Sequence, residues 1–503
     1  MGQIRKQAIL SSIVIYLGFF IGFINTWFFI RSGENTFTPD QYGLTRLFYD
    51  VGQLMFSVAS FGVAAVLYKF FPYYQDNLEK KKIDLYAWVL LLPSVGFILV
   101  LAGGYLFEPL IIRKYSARSP LFVDYYYWIF FFGAGILLFS VFESISWTKK
   151  ATVLPNFLKE SGLRLLTLVL VLLFYFQLLN YDWFIKLFSF QYLIIALILF
   201  FVLRWKMEIP FTLKPSRVTQ KFKKKIFTLG SLVYGGTIIV MLSQVADSII
   251  IASISEKGIH DTGVYNFSAY IANLVQVPQR SIMAIALPVL SQAWKDKNMN
   301  EINRVYKRTS INLLLLGLFI LGGIWLNIKD GYDVFGIQEA YKDGLYIILI
   351  LGITRLIDAG TGVNGEIIGT STQWRFEFFS RILLILLFIP LNYILIKQYG
   401  LIGAAYGNLI AFSVYNVVRI IFLKLKFNLQ PFSSKTVLSI AVAFVIYFLC
   451  YYLFSSMEGL TGILVRSSVF TLLFIAAVYF LKLTPDAQQL IDVVKKRLGM
   501  QTK

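Results

Sequence analysis

The chain has 503 residues, of which 57% are hydrophobic and 15% are charged. Soluble globular domains carry about 25% charged residues, so this composition excludes a soluble domain and indicates an integral membrane protein. The net charge of +20 does not call for nucleic acid as a partner, because the basic residues lie in short segments between apolar runs, where membrane proteins place them.

The sequence contains one cysteine, Cys450, and one histidine, His260. A single cysteine excludes a disulfide within the chain. The two residues together exclude a zinc site built from His and Cys, and they argue against a Ser-His-Asp or Cys-His triad. We therefore expect a protein that is not an enzyme and that needs no cofactor and no metal.

Hydropathy predicts an all-α polytopic membrane protein with about fourteen spans. The predicted spans lie near residues 8–30, 45–69, 85–107, 121–146, 161–180, 184–203, 226–250, 262–289, 309–328, 344–368, 374–396, 401–423, 436–454 and 461–481. Loops on the side of the first residue hold roughly three times as many Lys and Arg as the opposite loops, so both termini are expected in the cytoplasm.

The longest polar interruption, Arg204–Lys225, divides these spans into two sets of six and two further spans. It carries eight Lys or Arg against the single acid Glu208, and we interpret it as a cytoplasmic hinge. The alternative is a topology signal that also contacts anionic lipid. The predicted organisation is an N-lobe at 1–203, a basic linker at 204–225, a C-lobe at 226–423, two extra spans at 424–481 and a cytoplasmic tail at 482–503.

The two halves show a weak internal repeat. A shift of about 220 residues aligns 43–76 with 263–296, and a similar shift pairs Arg164 with Arg381. Because each copy holds an even number of spans, the copies are expected to share one orientation and to be related by an axis along the membrane normal. The last two predicted spans lie outside the repeat.

Ionisable residues within the spans are the candidates for function, because each costs at least about 2.5 kcal/mol to insert. The second span carries Arg46 and Asp50 on one helix face, and the alternative to a binding role is an internal ion pair. The seventh span ends with Asp247. The eighth carries a polar stripe of Asn273, Gln276 and Arg280, which Pro278 and Pro288 interrupt.

The tenth span places Arg355 and Asp358 near mid-depth, followed by a glycine-rich stretch from Gly360 to Gly369. Glycines permit close helix packing, and they also permit the unwound segments that form transporter sites at the membrane midplane. For Arg280, the alternative is an ion pair with Asp247 or Asp358.

Three further arginines, Arg164, Arg381 and Arg419, lie toward the cytoplasmic ends of their spans and are candidates for a basic inner gate. The alternative is that they extend to the headgroups. If the interior arginines face one cavity, that cavity is cationic. Guanidinium groups bind phosphate through paired hydrogen bonds, so the predicted ligand is a pyrophosphate or an acidic glycan.

Several stretches carry a resemblance to a known family. They are FTPDQYGLTRLF before and within the second span, ASFGVAAVLYKFFPYYQD at its end, and ADSIIIASISEKGIHDTGVYNFSAYIANL from the seventh span to the eighth. The chain resembles the bacterial polysaccharide biosynthesis proteins, which are lipid-linked oligosaccharide flippases of the O-antigen type. These proteins belong to the multidrug, oligosaccharidyl-lipid and polysaccharide exporter superfamily.

The resemblance implies two six-helix lobes that expose a central cationic cavity alternately to each side of the bacterial inner membrane. It implies transport of undecaprenyl-diphosphate-linked oligosaccharide to the outer leaflet, in lipopolysaccharide or other polysaccharide synthesis. Arg46, Arg280 and Arg355 match the cavity arginines of the family by depth. Asn273 and Gln276 complete the predicted substrate site, and Asp50, Asp247 and Asp358 are the candidates for proton or ion coupling.

The expected partners are the polyprenyl-diphosphate glycan, membrane lipids, and the polymerase and chain-length machinery of polysaccharide synthesis, with the protein itself a monomer. Three other functions remain open at this point. A cation-coupled drug exporter would need a cavity richer in acids, and a glycan polymerase or ligase would need a larger outside loop. A structural membrane protein would have little use for buried arginines.

Overall fold

The computed structural model describes residues 17–149 and 151–487. The first half of the first predicted span, the tail beyond residue 487 and the predicted location of both termini fall outside these residues. The described residues form helices and no β-strand, which confirms the prediction of an all-α membrane protein.

The first half of the described chain contains ten α-helices. They are α1 Leu17–Ile30, α2 Pro39–Ala59, α3 Val63–Asn77, α4 Leu85–Tyr115, α5 Pro120–Asp124, α6 Trp128–Thr148, α7 Val153–Asn156, α8 Leu163–Tyr175, α9 Tyr181–Phe201 and α10 Arg217–Ile254. A π-helix at Phe157–Gly162 joins α7 to α8, and a second one at Val202–Lys206 extends α9.

The second half of the described chain contains nine α-helices. They are α11 Ile259–Ala272, α12 Val277–Lys295, α13 Met299–Val334, α14 Leu345–Gly360, α15 Asn364–Thr370, α16 Trp374–Tyr399, α17 Leu401–Phe427, α18 Ser434–Leu453 and α19 Gly459–Phe480. Short 3₁₀ segments lie at Lys80–Lys82, Asn273–Gln276 and Glu339–Gly344.

Each of the fourteen predicted spans coincides with a helix or a helix pair of the described chain. Ten helices are long and apolar enough to cross a membrane, and the number rises to twelve if each of two bent pairs is one span. The remaining two predicted spans correspond to α1, of which only fourteen residues are described, and to the continuous run from α7 through α8.

The second span bends by 48° between α2 and α3. The bend lies at Phe61 and Gly62, which have φ values of 47° and 68°. Because the left-handed region breaks the helical hydrogen-bond ladder, these two residues end α2 and start α3 in a new direction. The sequence predicts a single span at 45–69 and does not indicate this bend.

Helix starts follow the capping signals in the sequence. Thr38 and Gln41 form a reciprocal capping box at α2, with Pro39 in the first helical position, an arrangement that satisfies otherwise unpaired N–H groups. At the start of α10, the Ser216 side chain accepts from the Thr219 N–H at 3.2 Å.

The described chain forms two compact units, which comprise residues 1–263 and 264–503 and are called the N-terminal unit and the C-terminal unit below. In the N-terminal unit, α2 packs against α4, α6 and α10, and α6 packs against α9. In the C-terminal unit, α13 packs against α14, and α18 and α19 also pack on α13. The predicted lobe boundaries at the basic linker stay a prediction.

The basic linker is attached to the N-terminal unit by one buried carboxylate. Asp84, which is fully buried, accepts from the Ser216 N–H at 3.0 Å and from the Thr219 hydroxyl at 2.6 Å. Thr219 also shares a hydrogen bond of 2.7 Å with the Tyr74 hydroxyl. The end of the linker and the start of α10 are thereby fixed to the turn between α3 and α4.

Candidate functional site

A polar cavity of about 320 Å³ lies inside the N-terminal unit. Its walls are formed by helices α1, α2, α6, α8 and α9 and by the π-helix that precedes α8. Three of its lining side chains are cationic, Arg46, Lys159 and Arg164, and one is a carboxylate, Glu160. We call this cavity the Arg46 pocket.

Arg46 enters the pocket from α2. Its Nε donates to the Tyr42 hydroxyl at 2.9 Å, and its guanidinium carbon lies 5.0 Å from the centroid of the same ring. Asp50, one turn further along α2, lies within electrostatic range of Ser248 and Asp247 on α10 as well as of Arg46. The fold therefore brings together two of the three predicted coupling carboxylates.

Arg164 lies in the same pocket, on α8. Its Nη1 donates to the Glu160 carboxylate at 2.9 Å, one helical turn away. A single cavity therefore extends to Arg46, a predicted substrate-binding residue, and to Arg164, a predicted residue of the inner gate. The π-helix at Phe157–Gly162 leads directly into α8, which carries Arg164.

Lys159 and Glu160 both lie on that π-helix. The Lys159 ammonium contacts the Glu143 carboxylate of α6 at 3.3 Å, and the Lys159 side chain remains 42% exposed. Single π-turns within α-helices occur frequently at functional sites. Here the π-turn places a lysine and a glutamate in one short stretch of cavity wall.

In the C-terminal unit, the predicted polar stripe lies where the eighth span breaks. The chain leaves α11, forms a 3₁₀ turn at Asn273–Gln276 and resumes as α12 with Pro278 in its first turn. The predicted interruption near Pro278 is confirmed, whereas Pro288 lies within continuous helix. The break turns the Asn273 and Gln276 side chains toward α14.

Both amides of this turn contact α14. The Asn273 Oδ1 atom accepts from Arg355 Nε at 2.9 Å, and Gln276 Nε2 donates to the Asp358 carboxylate at 2.7 Å. The Arg355 guanidinium also lies 5.4 Å from the Phe412 ring centroid. Four of the predicted site residues therefore form two adjacent pairs.

The Asp358 carboxylate has a second donor, Asn416 Nδ2, at 2.9 Å. Asn416 in turn accepts from the amide of Asn364 at 2.9 Å. Arg280 is exposed and makes no ion pair among the described residues, so the alternative in which Arg280 pairs with Asp358 is wrong.

The glycine-rich stretch of the tenth span interrupts the helix, which agrees with the second of the two interpretations of its glycines. Helix α14 ends at Gly360, Gly362 adopts a φ of 71°, and α15 starts at Asn364 with a bend of 42°. The Gly360 carbonyl at the break accepts from the Ser310 hydroxyl at 2.6 Å, so a side chain of α13 satisfies a backbone group that the broken helix leaves unpaired.

Arg381 and Arg419 share one carboxylate. Glu377 Oε1 accepts from Arg381 Nε at 2.9 Å and also from Arg419 Nη2. Arg419 is only 6% exposed, and it lies 4.0 Å from the Tyr415 ring centroid. Since both guanidinium groups are held by Glu377, the predicted extension of these arginines to the headgroups is wrong for Arg419.

Sequence reasoning missed several polar residues of these clusters. In the Arg46 pocket it missed Lys159, Glu160, Asn25 and Gln191, and in the C-terminal unit it missed Glu377 and Asn416. One signal was present, because Glu160 and Glu377 each precede a predicted arginine by four residues, the spacing of an ion pair on one helix face. The predicted convergence of Arg46, Arg280 and Arg355 stays a prediction.

No protein-family profile matches the sequence, and no curated protein matches it either. Solved structures do match. A lipid II flippase MurJ in an inward closed conformation shares 16% identity, with a TM-score of 0.71 over 95% of this chain and 99% of that one.

Two multidrug resistance transporters of the MATE family in the MOP superfamily also match, each at 15% identity. The inward-facing one gives a TM-score of 0.61 over 82% of this chain and 96% of that chain, and the outward-facing one gives 0.54 over 84% and 96%. At these identities the likeness establishes the architecture, and the chain has the helical fold of these membrane transporters.

Proposed function

We propose that this protein is a transporter that moves polyprenyl-diphosphate-linked oligosaccharide from the cytoplasmic to the outer leaflet of a bacterial inner membrane. The observation that carries the proposal is the cationic wall of the Arg46 pocket within an apolar helical unit. The likeness in fold to a protein described as a lipid II flippase supports the same reading.

The physical argument starts from the cost of the charges. A charged side chain within a span costs at least about 2.5 kcal/mol on insertion scales, and Lys159 and Arg164 offset part of that cost by pairing with Glu143 and Glu160. An anionic substrate would offset more of it, because guanidinium and ammonium groups bind phosphate and carboxylate oxygens with charge-assisted hydrogen bonds.

A second contact point is proposed in the C-terminal unit. It consists of Arg355 on α14, which donates to Asn273 at 2.9 Å, and of Arg280, which is exposed on α12 of the broken eighth span. In this proposal Arg355 exchanges its contact with Asn273 for phosphate oxygens, and Arg280 binds them directly. Alternating exposure of these arginines to the two sides of the membrane would move the headgroup across it.

Coupling to an ion gradient is assigned to the carboxylates. Asp50 and Asp247 lie within electrostatic range of one another, and two nearby carboxylates bind one proton more readily than an isolated one. Asp358 is the corresponding group in the C-terminal unit. Arg164, Arg381 and Arg419 act in this proposal as the basic inner gate, and the protein works as a monomer alongside a polymerase and its chain-length partner.

The test is a liposome assay with the purified full chain and a polyprenyl-diphosphate oligosaccharide on one leaflet. A membrane-impermeant glycosidase reports the fraction that reaches the other leaflet. We expect wild-type protein to move the lipid, Arg46→Ala to slow it roughly ten- to hundredfold, and Arg46→Lys to be intermediate. These factors correspond to the loss of a charge-assisted contact of about 1.5–3 kcal/mol.

The matched control is Arg113→Ala, since Arg113 is an exposed arginine near the end of α4 that does not line the pocket. It should transport at the wild-type rate. If wild-type protein leaves the glycan on its original leaflet, the proposed function is refuted. If Arg113→Ala slows transport as much as Arg46→Ala does, the pocket has no special part in it.

A cation-coupled multidrug exporter is the second candidate, favoured by the proximity of Asp50 and Asp247 and by the likeness to MATE transporters. It predicts that expression of the protein raises drug resistance in a sensitive host and that Asp247→Asn abolishes the gain. Unchanged sensitivity in the wild-type strain would remove this candidate.

A further inference from the structure

The Arg46 pocket contains two buried amides whose hydrogen-bonding capacity is half used. Asn25 is 6% exposed, and its Nδ2 donates to the Arg164 carbonyl at 2.8 Å. Gln191 is 2% exposed, and its Oε1 accepts from the Thr167 hydroxyl at 3.0 Å. The other atom of each amide, Asn25 Oδ1 and Gln191 Nε2, has no partner among the described residues.

Leaving such atoms unpaired is costly. A buried polar atom without a hydrogen bond forfeits about 1–3 kcal/mol, and native proteins leave few of them. Both amides line the same cavity, and one offers an acceptor where the other offers a donor. A bound group that both donates and accepts would satisfy the two at once, and a hydroxyl is the simplest such group.

The charge of the pocket adds a second requirement. Arg46, Lys159 and Arg164 face the cavity together with the single carboxylate Glu160. Each cation also has an acid nearby, since Glu160 pairs with Arg164, Glu143 of α6 pairs with Lys159, and Asp50 lies within electrostatic range of Arg46. Cations still outnumber carboxylates three to one among the side chains that line the cavity, which favours a ligand that carries negative charge as well as hydroxyl groups.

Several other side chains of the wall are aromatic. Phe132 and Phe188 stack with their ring centroids 5.3 Å apart and their planes inclined by 9°, and Tyr192 meets Phe132 edge to face at 5.2 Å. Flat apolar faces of this kind bury the C–H surface of a ring. At about 320 Å³ the cavity has the volume of roughly ten water molecules, far more than a single small ion needs.

We infer that the Arg46 pocket binds a carboxylated monosaccharide, such as a hexuronic acid unit, of the transported glycan. The carboxylate contacts Arg46 or Arg164, the hydroxyls pair with Asn25 and Gln191, and the ring lies against the aromatic wall. This inference rests on the proposed function and narrows its substrate to acidic glycans.

Asn25 Oδ1 needs a hydrogen-bond donor from the ligand, and this need distinguishes a sugar acid from the phosphates of the lipid carrier. The diphosphate of the lipid is a diester that offers oxygens which only accept, so it cannot satisfy Asn25 Oδ1. It would also bring further negative charge close to Glu160. A hexuronic acid has hydroxyl donors as well as one carboxylate, which agrees with both features of the wall.

The pocket is open to a ligand. Tyr49, which lines it, is 40% exposed, and the Lys159 side chain is 42% exposed. These two residues mark the mouth, while Asn25 and Gln191 lie at the buried end. The sugar ring would therefore enter past Lys159 before it reaches the amides.

The experiment measures thermal unfolding of the purified full chain in the presence of glucuronic acid, glucose or inorganic diphosphate. A ligand that binds the folded protein raises its melting temperature in proportion to its affinity. We expect glucuronic acid to raise it, glucose to bind at least tenfold more weakly, and diphosphate to compete poorly for the site.

Two variants locate the site. Gln191→Leu removes the donor, and Gln191→Glu keeps the shape and the Thr167 contact while replacing the Nε2 donor by an anionic oxygen that only accepts. Each should weaken glucuronic acid at least tenfold. The matched control is Asn392→Leu, which removes a fully buried amide with both polar atoms unpaired in the C-terminal unit and should leave binding unchanged.

Three outcomes overturn the inference. They are equal stabilisation by glucose and glucuronic acid, saturation by diphosphate in place of the sugar acid, and no stabilisation by any of the three. If Gln191→Leu does not fold, Gln191→Glu decides, and wild-type affinity in that variant is a refutation.

The liposome assay separates this inference from the proposed function. If the protein transports glycans with and without a hexuronic acid equally well and does not bind glucuronic acid, the pocket assignment is refuted but the flippase function is not. If the protein binds glucuronic acid but moves neither lipid, the flippase function is refuted but the pocket assignment is not.

Discussion

Gly43 of α2 and Gly263 of α11 lie face to face, and each makes room for the backbone of the other's helix. A side-chain carbon on Gly43 would lie 3.0 Å from the Gly263 nitrogen and would overlap the Ile259 carbonyl. One on Gly263 would lie 3.2 Å from the Gly43 nitrogen and would overlap the Pro39 carbonyl.

Pro39 and Ile259 are separated by the same 220 residues as Gly43 and Gly263. The contact is therefore reciprocal: Gly43 lies against the Ile259 carbonyl and Gly263 lies against the Pro39 carbonyl, in each case four residues before the partner glycine.

Because of this close approach, we expect an alanine substitution to change the melting temperature differently at Gly43 and at Gly103. Gly43→Ala should lower the melting temperature, because overpacking against backbone costs about 1–3 kcal/mol. Gly103→Ala on α4, where nothing lies within 4 Å, should leave it unchanged or raise it, since alanine favours helix over glycine by roughly 0.5–1 kcal/mol. Thermal unfolding in detergent measures both, and equal shifts would contradict the close packing.

The Glu377 carboxylate is predicted to be the main support of Arg419. Glu377→Gln should destabilise the protein by about 3–5 kcal/mol, because it leaves a buried guanidinium without its charge partner. Glu301→Gln is the control, since its partner Arg304 is 60% exposed and exposed pairs contribute less than about 1 kcal/mol. Similar melting temperatures for the two variants would show that Arg419 is stabilised by other means.

The Asp84 contact is predicted to protect the basic linker. Asp84→Ala removes the acceptor for the Ser216 N–H and the Thr219 hydroxyl, a loss of about 0.5–2 kcal/mol for a helix start. We expect trypsin to cut near Lys214 and Arg217 several times faster in this variant. Asp76→Ala, at an exposed acid near the end of α3, should be cut at the wild-type rate, and equal protection in both variants would refute the role of Asp84.

The proposed coupling carboxylates make a prediction about gradients. If Asp50, Asp247 or Asp358 carries the coupled proton, the Asp→Asn variant at that position should retain downhill transport in liposomes and lose the acceleration caused by an imposed pH gradient. Asp333→Asn is the control, because the Asp333 side chain is 72% exposed and contacts Lys342. A normal gradient response in all three variants would remove these residues from the coupling mechanism.

The sequence was sufficient for the helices and for most of their interruptions. Each of the fourteen predicted spans coincides with a helix or a helix pair of the described chain, and ten to twelve of these are long and apolar enough to cross a membrane. Pro278 and the Gly360–Gly369 stretch mark two breaks, in the eighth and tenth spans. The bend at Phe61 was not predictable, because a phenylalanine with positive φ has no composition signal.

The sequence identified individual residues of the candidate site, but it did not show which of them contact each other. Arg355 and Asp358 are neighbours on one helix, yet they bind different partners, Asn273 and Gln276, because the broken eighth span passes alongside both. The Arg46 pocket was missed as a cavity, since Asn25 and Gln191 come from helices far apart in sequence. Which distant helices meet is decided by tertiary packing, and a single sequence does not encode it in any local pattern.

Helix α10 has 38 residues, so it is about 57 Å long, while the hydrocarbon layer is about 30 Å thick. We expect its first turns, which carry Lys221 and Lys223 to Lys225, to lie outside the apolar layer. These ammonium groups are then held on a helix and not on a loop, and we expect the number of them that reach the headgroup plane to change with the thickness of the membrane.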